Sequence, residues 1–184
     1  MKKQTEKILN LFIRYFSLLL MGIGNFYVLY KILIPLTTHI VNAVLLIFTD
    51  TTLTGNVIYL SWTGIEIAPA CVAGSAFYLL LLLVLSTANI KPVVRTKMVL
   101  TTFAMLFFLN IIRILILIPM TGANYFGVIH WIFWHLISIV FVVSIWFYAV
   151  KTYKIKSVPI YSDLKYLMGL IKPVKKSKRK KKHN

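Results

Sequence analysis

Four polar side chains in an otherwise apolar chain are of the types that nucleophilic catalysis uses. They are the single cysteine, Cys71, then Arg113, and two histidines, His130 and His135. A thiol attacks as its thiolate, a form that a nearby cation or imidazole favours. The imidazole can return the proton to a leaving amine, and a guanidinium can stabilise an oxyanion or hold a substrate carbonyl. Asn110 lies one helical turn before Arg113, a spacing that predicts that it orients the guanidinium.

Each of these residues also has an ordinary structural interpretation. A lone cysteine at a helix end usually packs as a small hydrophobe, and His130 has the surroundings of an interfacial aromatic belt. Glu66 fits either a partner of the histidine or arginine, or a solvated strand residue. The sequence therefore leaves two other functions open: a non-catalytic scaffold or assembly subunit, and a small transporter with Arg113 in an anion path. No metal-ligand spacing is present, and no cofactor or metal is predicted.

The composition indicates an integral membrane protein. Of the 184 residues, 59% are hydrophobic and 14% are charged, and the formal net charge is +17, whereas soluble domains are about 25% charged. The mean hydropathy of +0.83 also excludes a disordered nucleic-acid-binding protein. One cysteine excludes an intrachain disulfide and a cysteine-rich zinc site.

Apolar stretches long enough to cross a bilayer position these polar residues. Residues 70–90, 98–119 and 125–150 are predicted spans, and residues 8–33 are a fourth, with Arg14 expected to snorkel to a headgroup layer. Residues 36–48, after Pro35, are too short and are predicted to form an interfacial or re-entrant helix. The predicted fold is an all-α, multi-spanning membrane bundle of about four to five transmembrane helices.

Residues 55–69 have a different pattern, typical of a short external hairpin before the cysteine-bearing helix. Residues 57–60 and 65–67 are rich in β-formers, and residues 61–64 suit a turn.

The distribution of basic residues predicts the orientation in the membrane. The predicted loop 91–97, the N-terminus and the tail from Lys151 are basic and are expected on the cytoplasmic side. Arg113 then lies roughly 10 Å, and His130 and His135 roughly 8 and 15 Å, from the outer ends of their helices at the rise of an α-helix. With Cys71 at the outer end of its helix, all four polar residues share the outer half of the membrane.

The motifs around these residues resemble the archaeosortase/exosortase family, in particular its archaeosortase-like branch. Residues 68–76, Ala-Pro-Ala-Cys-Val-Ala-Gly-Ser-Ala, look like the family's cysteine motif, and residues 110–114, Asn-Ile-Ile-Arg-Ile, look like its Asn-x-x-Arg motif. Phe126-Gly127, followed by His135, Ser138 and Phe141, is similar to its histidine-bearing last helix. The resemblance covers roughly residues 36–150.

The resemblance implies a membrane-embedded cysteine protease or transpeptidase. Such enzymes cleave membrane-anchored proteins at a C-terminal sorting signal with a hydrophobic helix, and transfer them to a lipid or other acceptor. It implies Cys71 as nucleophile, Arg113 as stabiliser of the acyl intermediate and His135 as acid/base, with His130 as second choice. It also implies a prokaryotic, archaeal plasma membrane with the site facing outside.

The two parts of the chain have different expected roles. Residues 1–150 are predicted to form the membrane-embedded domain, and residues 151–184 a basic cytoplasmic tail, largely disordered from about residue 172. A polybasic tail attracts anionic lipids of the inner leaflet. A nucleic-acid partner is not expected.

Overall fold

The protein is mostly helical and carries one small sheet. The structure, a computed structural model, describes residues 2–24, 26–87 and 90–155. The helices of this part are α1 (Lys2–Ile23), α2 (Tyr27–Leu45), α3 (Gly74–Leu85), α4 (Pro92–Leu117), α5 (Phe126–Ile132) and α6 (Ser138–Thr152). The strands β1 (Thr52–Thr54), β2 (Val57–Tyr59) and β3 (Gly64–Glu66) lie between α2 and α3. Short 3₁₀ turns span Pro69–Val72 and Ile118–Met120, and a π-helical turn, Phe133–Ile137, joins α5 to α6.

Three helical stretches of the described chain are long and apolar enough to cross a membrane: Tyr27–Leu45, Pro92–Met120 and Phe126–Thr152. Two shorter apolar stretches are Ile8–Ile23 and Pro69–Leu85. The predicted helices at 98–119 and 125–150 are confirmed as helices, and the long apolar helices are compatible with a membrane protein.

The prediction of one helix over residues 8–33 is wrong. α1 ends at Ile23 and α2 begins at Tyr27. The Gly24 N–H donates to the Leu20 carbonyl at 3.0 Å, and Phe26 has a left-handed backbone with φ of 57°. The left-handed Phe26 is the N-cap residue of α2, so the apolar run continues across a break between two helices.

The separate short helix predicted over residues 36–48 is also wrong, because Pro35 lies inside α2. Proline has no N–H to donate within the helix. The missing bond is the one to the Lys31 carbonyl, four residues earlier, and apolar helices of membrane proteins tolerate such a loss. Residues 27–33 and most of the predicted interfacial helix, as far as Leu45, therefore form one helix.

The boundaries around α3 and α4 differ from the prediction as well. The span predicted over 70–90 is only helical from Gly74 to Leu85, because Ala73, with a left-handed φ of 54°, separates it from the preceding 3₁₀ turn. The predicted loop 91–97 is helical from Pro92 onward. Proline is favoured at the first helical position, where its missing N–H costs nothing.

Arg14 is buried, and its Nε donates to the Leu85 carbonyl at the end of α3; its snorkelling to a headgroup layer stays a prediction. Arg95, also buried, donates from Nη2 to the Thr87 carbonyl at 2.8 Å. Two arginines, from α1 and α4, thus satisfy carbonyls at the carboxyl-terminal end of α3. A helix dipole favours cations at this end.

Packing is centred on α3, which contacts α1, α4 and α6, while α4 also packs on α6 and α2. Gly74 admits the close approach of α2, since a Cβ there would lie 2.5 Å from the Tyr30 ring. Phe77 packs edge-on against Phe103, with ring centroids 5.1 Å apart. The buried core also includes Val41, Leu80, Leu106, Val142 and Ile145.

The predicted hairpin is confirmed, and the sheet has one strand more than predicted. β2 pairs antiparallel with β3, and β1 adds to the other edge of β2. Ile58 and Ile67 are fully buried in the helical core, so the sheet is fixed against the helices. The predicted basic tail lies outside the described residues from 156 onward, and its disorder and lipid contact stay predictions.

Candidate functional site

Cys71 lies on the 3₁₀ turn Pro69–Val72 and not on the helix that the sequence predicted for it. The Cys71 N–H donates to the Ala68 carbonyl at 2.8 Å, and Pro69 fixes the backbone at the start of the turn. Val72, 1% exposed, anchors the turn in the core. The turn leaves the cysteine half-buried, between β3 and α3, with its thiol 3.8 Å from the Glu66 carbonyl oxygen.

Arg113 and Asn110, both buried, reach the cysteine from α4. Arg113 Nη2 and Asn110 Nδ2 donate to the same acceptor, the Cys71 carbonyl oxygen, at 2.8 and 3.0 Å. The two residues are one turn apart and therefore share a helix face. The sequence predicted that Asn110 orients the guanidinium, and the structure joins the two side chains through this shared carbonyl.

Ser138 supplies the second fixed contact of the guanidinium. Arg113 Nη1 donates to Ser138 Oγ at 3.0 Å, and the Ser138 hydroxyl donates to the Phe133 carbonyl at 3.2 Å. Phe133 begins the π-helical turn, a feature that often marks functional sites. The sequence assigned Ser138 no role, although its position three residues after His135 was the available signal. Arg113 therefore connects the cysteine turn to the π-helical turn.

A cavity of about 350 Å³ lies beside this cluster. Cys71, Arg113 and His130 all line it, together with Glu66. The remaining walls come from β3 and its flanks and from the start of α5, with the end of α4: Thr63, Gly64, Ile65, Ile67, Ile114, Leu117, Ile118, Thr121 and Phe126. The imidazole of His130 stacks on Phe126, with ring centroids 5.6 Å apart. A thiol, a guanidinium and an imidazole thus face one space.

His135 lines a second cavity, of about 240 Å³, with Ser75, Trp134 and Ser138 among its walls. The His135 ring lies between Trp131 and Trp134, at centroid distances of 4.7 and 4.6 Å. Its Nδ1 is 3.1 Å from the Trp131 carbonyl oxygen. Of the two histidines, the structure brings His130 into the cavity of Cys71 and Arg113, and His135 into the neighbouring one.

Two polar atoms of the cluster have no hydrogen-bond partner among the described residues, Asn110 Oδ1 and Arg113 Nε. Glu66 is exposed and lines the cavity, and the contact to Cys71 comes from its main-chain carbonyl. Within residues 2–24, 26–87 and 90–155, no three His, Cys, Asp or Glu side chains are grouped as a metal site requires.

Compared with protein-family models, curated proteins and solved structures, the chain shows no match. The resemblance to archaeosortases therefore rests on the motifs around Cys71, Arg113 and His135.

Proposed function

We propose that the protein is a membrane-embedded cysteine transpeptidase that cleaves protein substrates at a C-terminal sorting signal and transfers them to a lipid or another acceptor. The observation that carries this proposal is the single cavity lined by Cys71, Arg113 and His130. These are the nucleophile, the electrostatic stabiliser and the acid/base that acyl transfer needs. We assign the acid/base role to His130, and His135, which the resemblance implies, is the alternative.

The chemistry begins with transfer of the Cys71 thiol proton to the imidazole. The thiolate attacks the carbonyl carbon of the scissile peptide bond, and the carbonyl electron pair moves onto oxygen to give a tetrahedral oxyanion. When this oxyanion collapses, the C–N bond breaks and the amine of the sorting signal leaves with the imidazolium proton. The acyl group remains on sulfur as a thioester. A hydroxyl or amine of the acceptor, deprotonated by the imidazole, then attacks the thioester and releases the thiol.

Arg113 is suited to stabilising the oxyanion because it is held rigidly next to the nucleophile's residue. A guanidinium has five N–H donors in a planar fork, and the bonds to the Cys71 carbonyl and Ser138 hydroxyl use two of them. A charge fixed before the reaction costs no reorganisation when the oxyanion forms.

The orientation in the membrane follows from the charge distribution of the sequence, and the prokaryotic, archaeal plasma membrane is what the resemblance implies. We place the cavity on the outer face of that membrane and the basic tail in the cytoplasm, against anionic lipids of the inner leaflet. Substrates are then membrane-anchored proteins whose sorting signal carries a hydrophobic helix.

The experiment is processing of a co-expressed reporter that ends in a short randomised segment, an apolar helix of about 20 residues and a Lys/Arg cluster. Reporters that the wild type cleaves are selected from this library. Cys71→Ala should abolish cleavage, and Cys71→Ser should lower it by at least about a hundredfold, because a hydroxyl is a much weaker nucleophile than a thiolate. Thr96→Ala is the matched control, since the exposed Thr96 hydroxyl donates to the Pro92 carbonyl of its own helix and does not line the cavity.

Unchanged cleavage by Cys71→Ala would overturn the catalytic role. A second candidate function is a non-catalytic scaffold. The observation that supports it is the pair of hydrogen bonds from Arg113 to the Cys71 carbonyl and to Ser138, which in a scaffold would only hold α4 to its neighbours. In that case both Cys71 variants would keep every property of the wild type, since the bonded atom is the main-chain carbonyl.

A further inference from the structure

β3 is an edge strand that runs along the cavity. The sheet order is β1-β2-β3, and within the described residues no strand pairs with the outer edge of β3. Such an edge presents unpaired N–H and C=O groups and is a template for another extended chain. The cavity therefore has a polar main-chain wall in addition to its side chains.

Two main-chain hydrogen bonds fix which residues of β3 point towards β2: Leu60 N–H to the Thr63 carbonyl at 2.8 Å, and Ile67 N–H to the Asn56 carbonyl at 2.9 Å. In an antiparallel pair, bonded and non-bonded positions alternate. Ile65, midway between these bonds, therefore bonds to β2, whereas Gly64 and Glu66 do not. The N–H and C=O groups of Gly64 and the N–H of Glu66 point to the open edge.

The thiol lies at this same edge. The Glu66 carbonyl accepts the Cys71 thiol at 3.8 Å and the Ala68 N–H at 3.2 Å, so it too points away from β2. All residues from 63 to 67 line the cavity. Because side chains alternate between the two faces of a strand, a wall made of consecutive residues is the strand's edge and not one of its faces.

We propose that the substrate segment containing the scissile bond binds as a fourth strand along β3, held by main-chain hydrogen bonds to Gly64 and Glu66. The proposal rests on the proposed function and names the form in which the substrate is recognised, an extended peptide. A strand bonded to both residues runs alongside the Cys71 thiol. The cavity volume of about 350 Å³ lies in the range of about 300–1,000 Å³ for ligand pockets.

This binding mode determines which parts of the substrate are read. Main-chain bonds give affinity without regard to side-chain type, and pockets select side chains only at alternate positions. Successive side chains of the bound substrate then point alternately into the cavity and away from it.

The test uses a synthetic peptide with the segment of a selected reporter, its apolar helix and its basic end, in lipid vesicles with the full-length protein. Each amide of the segment except the scissile one is replaced in turn by an ester, which removes one N–H donor. The replacement that removes the N–H bonded to the Gly64 carbonyl should lower kcat/KM by about threefold to tenfold, the effect of one lost hydrogen bond, and replacements of N–H groups that point away from β3 should leave it unchanged.

The outcomes separate the two proposals. Cleavage of the all-amide peptide with no ester position that lowers kcat/KM overturns strand addition and leaves the transpeptidase intact. Cleavage of the selected reporters by Cys71→Ala at the wild-type rate overturns both.

A pair of protein variants tests the same hydrogen bonds by changing β3 in place of the substrate. Glu66→Pro removes the edge N–H, and proline is tolerated where a strand's N–H faces outward. Glu66→Ala is its reference, because it removes the same carboxylate and keeps the N–H. The proline variant should have a KM about threefold to tenfold above that of the alanine variant, the effect of one hydrogen bond, with kcat similar. Equal KM values in the two variants overturn the proposed contact, and the ester scan answers the question even where the proline variant does not fold.

Discussion

The two ends of α3 both bind buried arginines, but for different physical reasons. At the carboxyl-terminal end, Arg14 and Arg95 donate to the Leu85 and Thr87 carbonyls, where the helix dipole attracts cations. At the amino-terminal end, Arg113 donates to the Cys71 carbonyl just before the helix, where the dipole is positive and repels cations. The helix dipole therefore accounts for the positions of Arg14 and Arg95 and opposes that of Arg113. Under the proposed function, the oxyanion of the reaction supplies the negative charge that makes the position of Arg113 favourable.

The most direct test of this comparison is to exchange arginine for lysine at each end of α3. Arg113→Lys should reduce reporter cleavage by about 10²–10³-fold, as loss of an oxyanion donor does, because an ammonium cannot form the planar fork that joins Cys71 to Ser138. Arg95→Lys should lower thermal stability and leave cleavage per folded molecule close to that of the wild type. The measurement is the cleavage rate normalised to folded protein, and equal losses in the two variants would show that the ends do not differ.

The second prediction concerns which histidine belongs to the chemistry. His130→Ala should lower cleavage by about 10²–10⁴-fold, the range for a general acid/base, because His130 shares the cavity of Cys71. His135→Ala should have a much smaller effect, since its ring lies in the neighbouring cavity. The reverse order, measured with the same reporter, would assign the role to His135 as the resemblance implies.

A smaller loss is expected on removing Asn110, the second donor to the Cys71 carbonyl. Asn110→Leu should lower the free energy of unfolding by about 1 kcal/mol and cleavage by about tenfold, because the cysteine turn then relies on Arg113 alone. Thr102→Val is the control on α4, since the buried Thr102 hydroxyl bonds within its own helix, to the Met98 carbonyl. Cleavage lowered equally in both variants would indicate a general effect of polar loss in α4.

The smallest effect is expected for Ser138→Ala. Losing one of the two fixed contacts of the guanidinium should lower cleavage by about threefold to tenfold, as for one hydrogen bond. Combined with Arg113→Lys, the same change should add nothing, because the fork that uses the hydroxyl is already lost. A further loss in the double variant would mean that Ser138 acts independently of Arg113.

Sequence patterns were informative where one local signal determines the structure. The β-formers on either side of a turn predicted the hairpin, and the long apolar run after Tyr125 predicted the last helices. The prediction that Cys71 and Arg113 lie at one depth agrees with their hydrogen bond of 2.8 Å through the cysteine carbonyl. The additional strand, β1 (Thr52–Thr54), has three residues of which one is apolar, too few for a period of two to be recognised in the sequence.

The remaining differences come from contacts that hydropathy does not record. Pro35 is a usual helix boundary in sequence, yet the helix continues through it, and the break falls near Gly24 instead. Hydropathy also does not indicate that Arg14 donates to the Leu85 carbonyl, 71 residues later in the chain. The sequence could have predicted that His130 and His135 face different cavities. In an α-helix of 3.6 residues per turn, a spacing of five residues places two side chains about 140° apart around the axis.

The π-helical turn Phe133–Ile137 also sets the rotation of everything that follows it. A wide turn contains one residue more than the α-helix it interrupts, and each residue of an α-helix turns by about 100°. If the same residues formed a regular α-helix with no wide turn, α6 would be rotated about its axis by that angle. Ser138 would then leave Arg113, and the buried face of α6, which includes Val142 and Ile145, would turn away from the core. The inserted residue thus fixes the phase of the last helix, and the core and the guanidinium depend on the same phase.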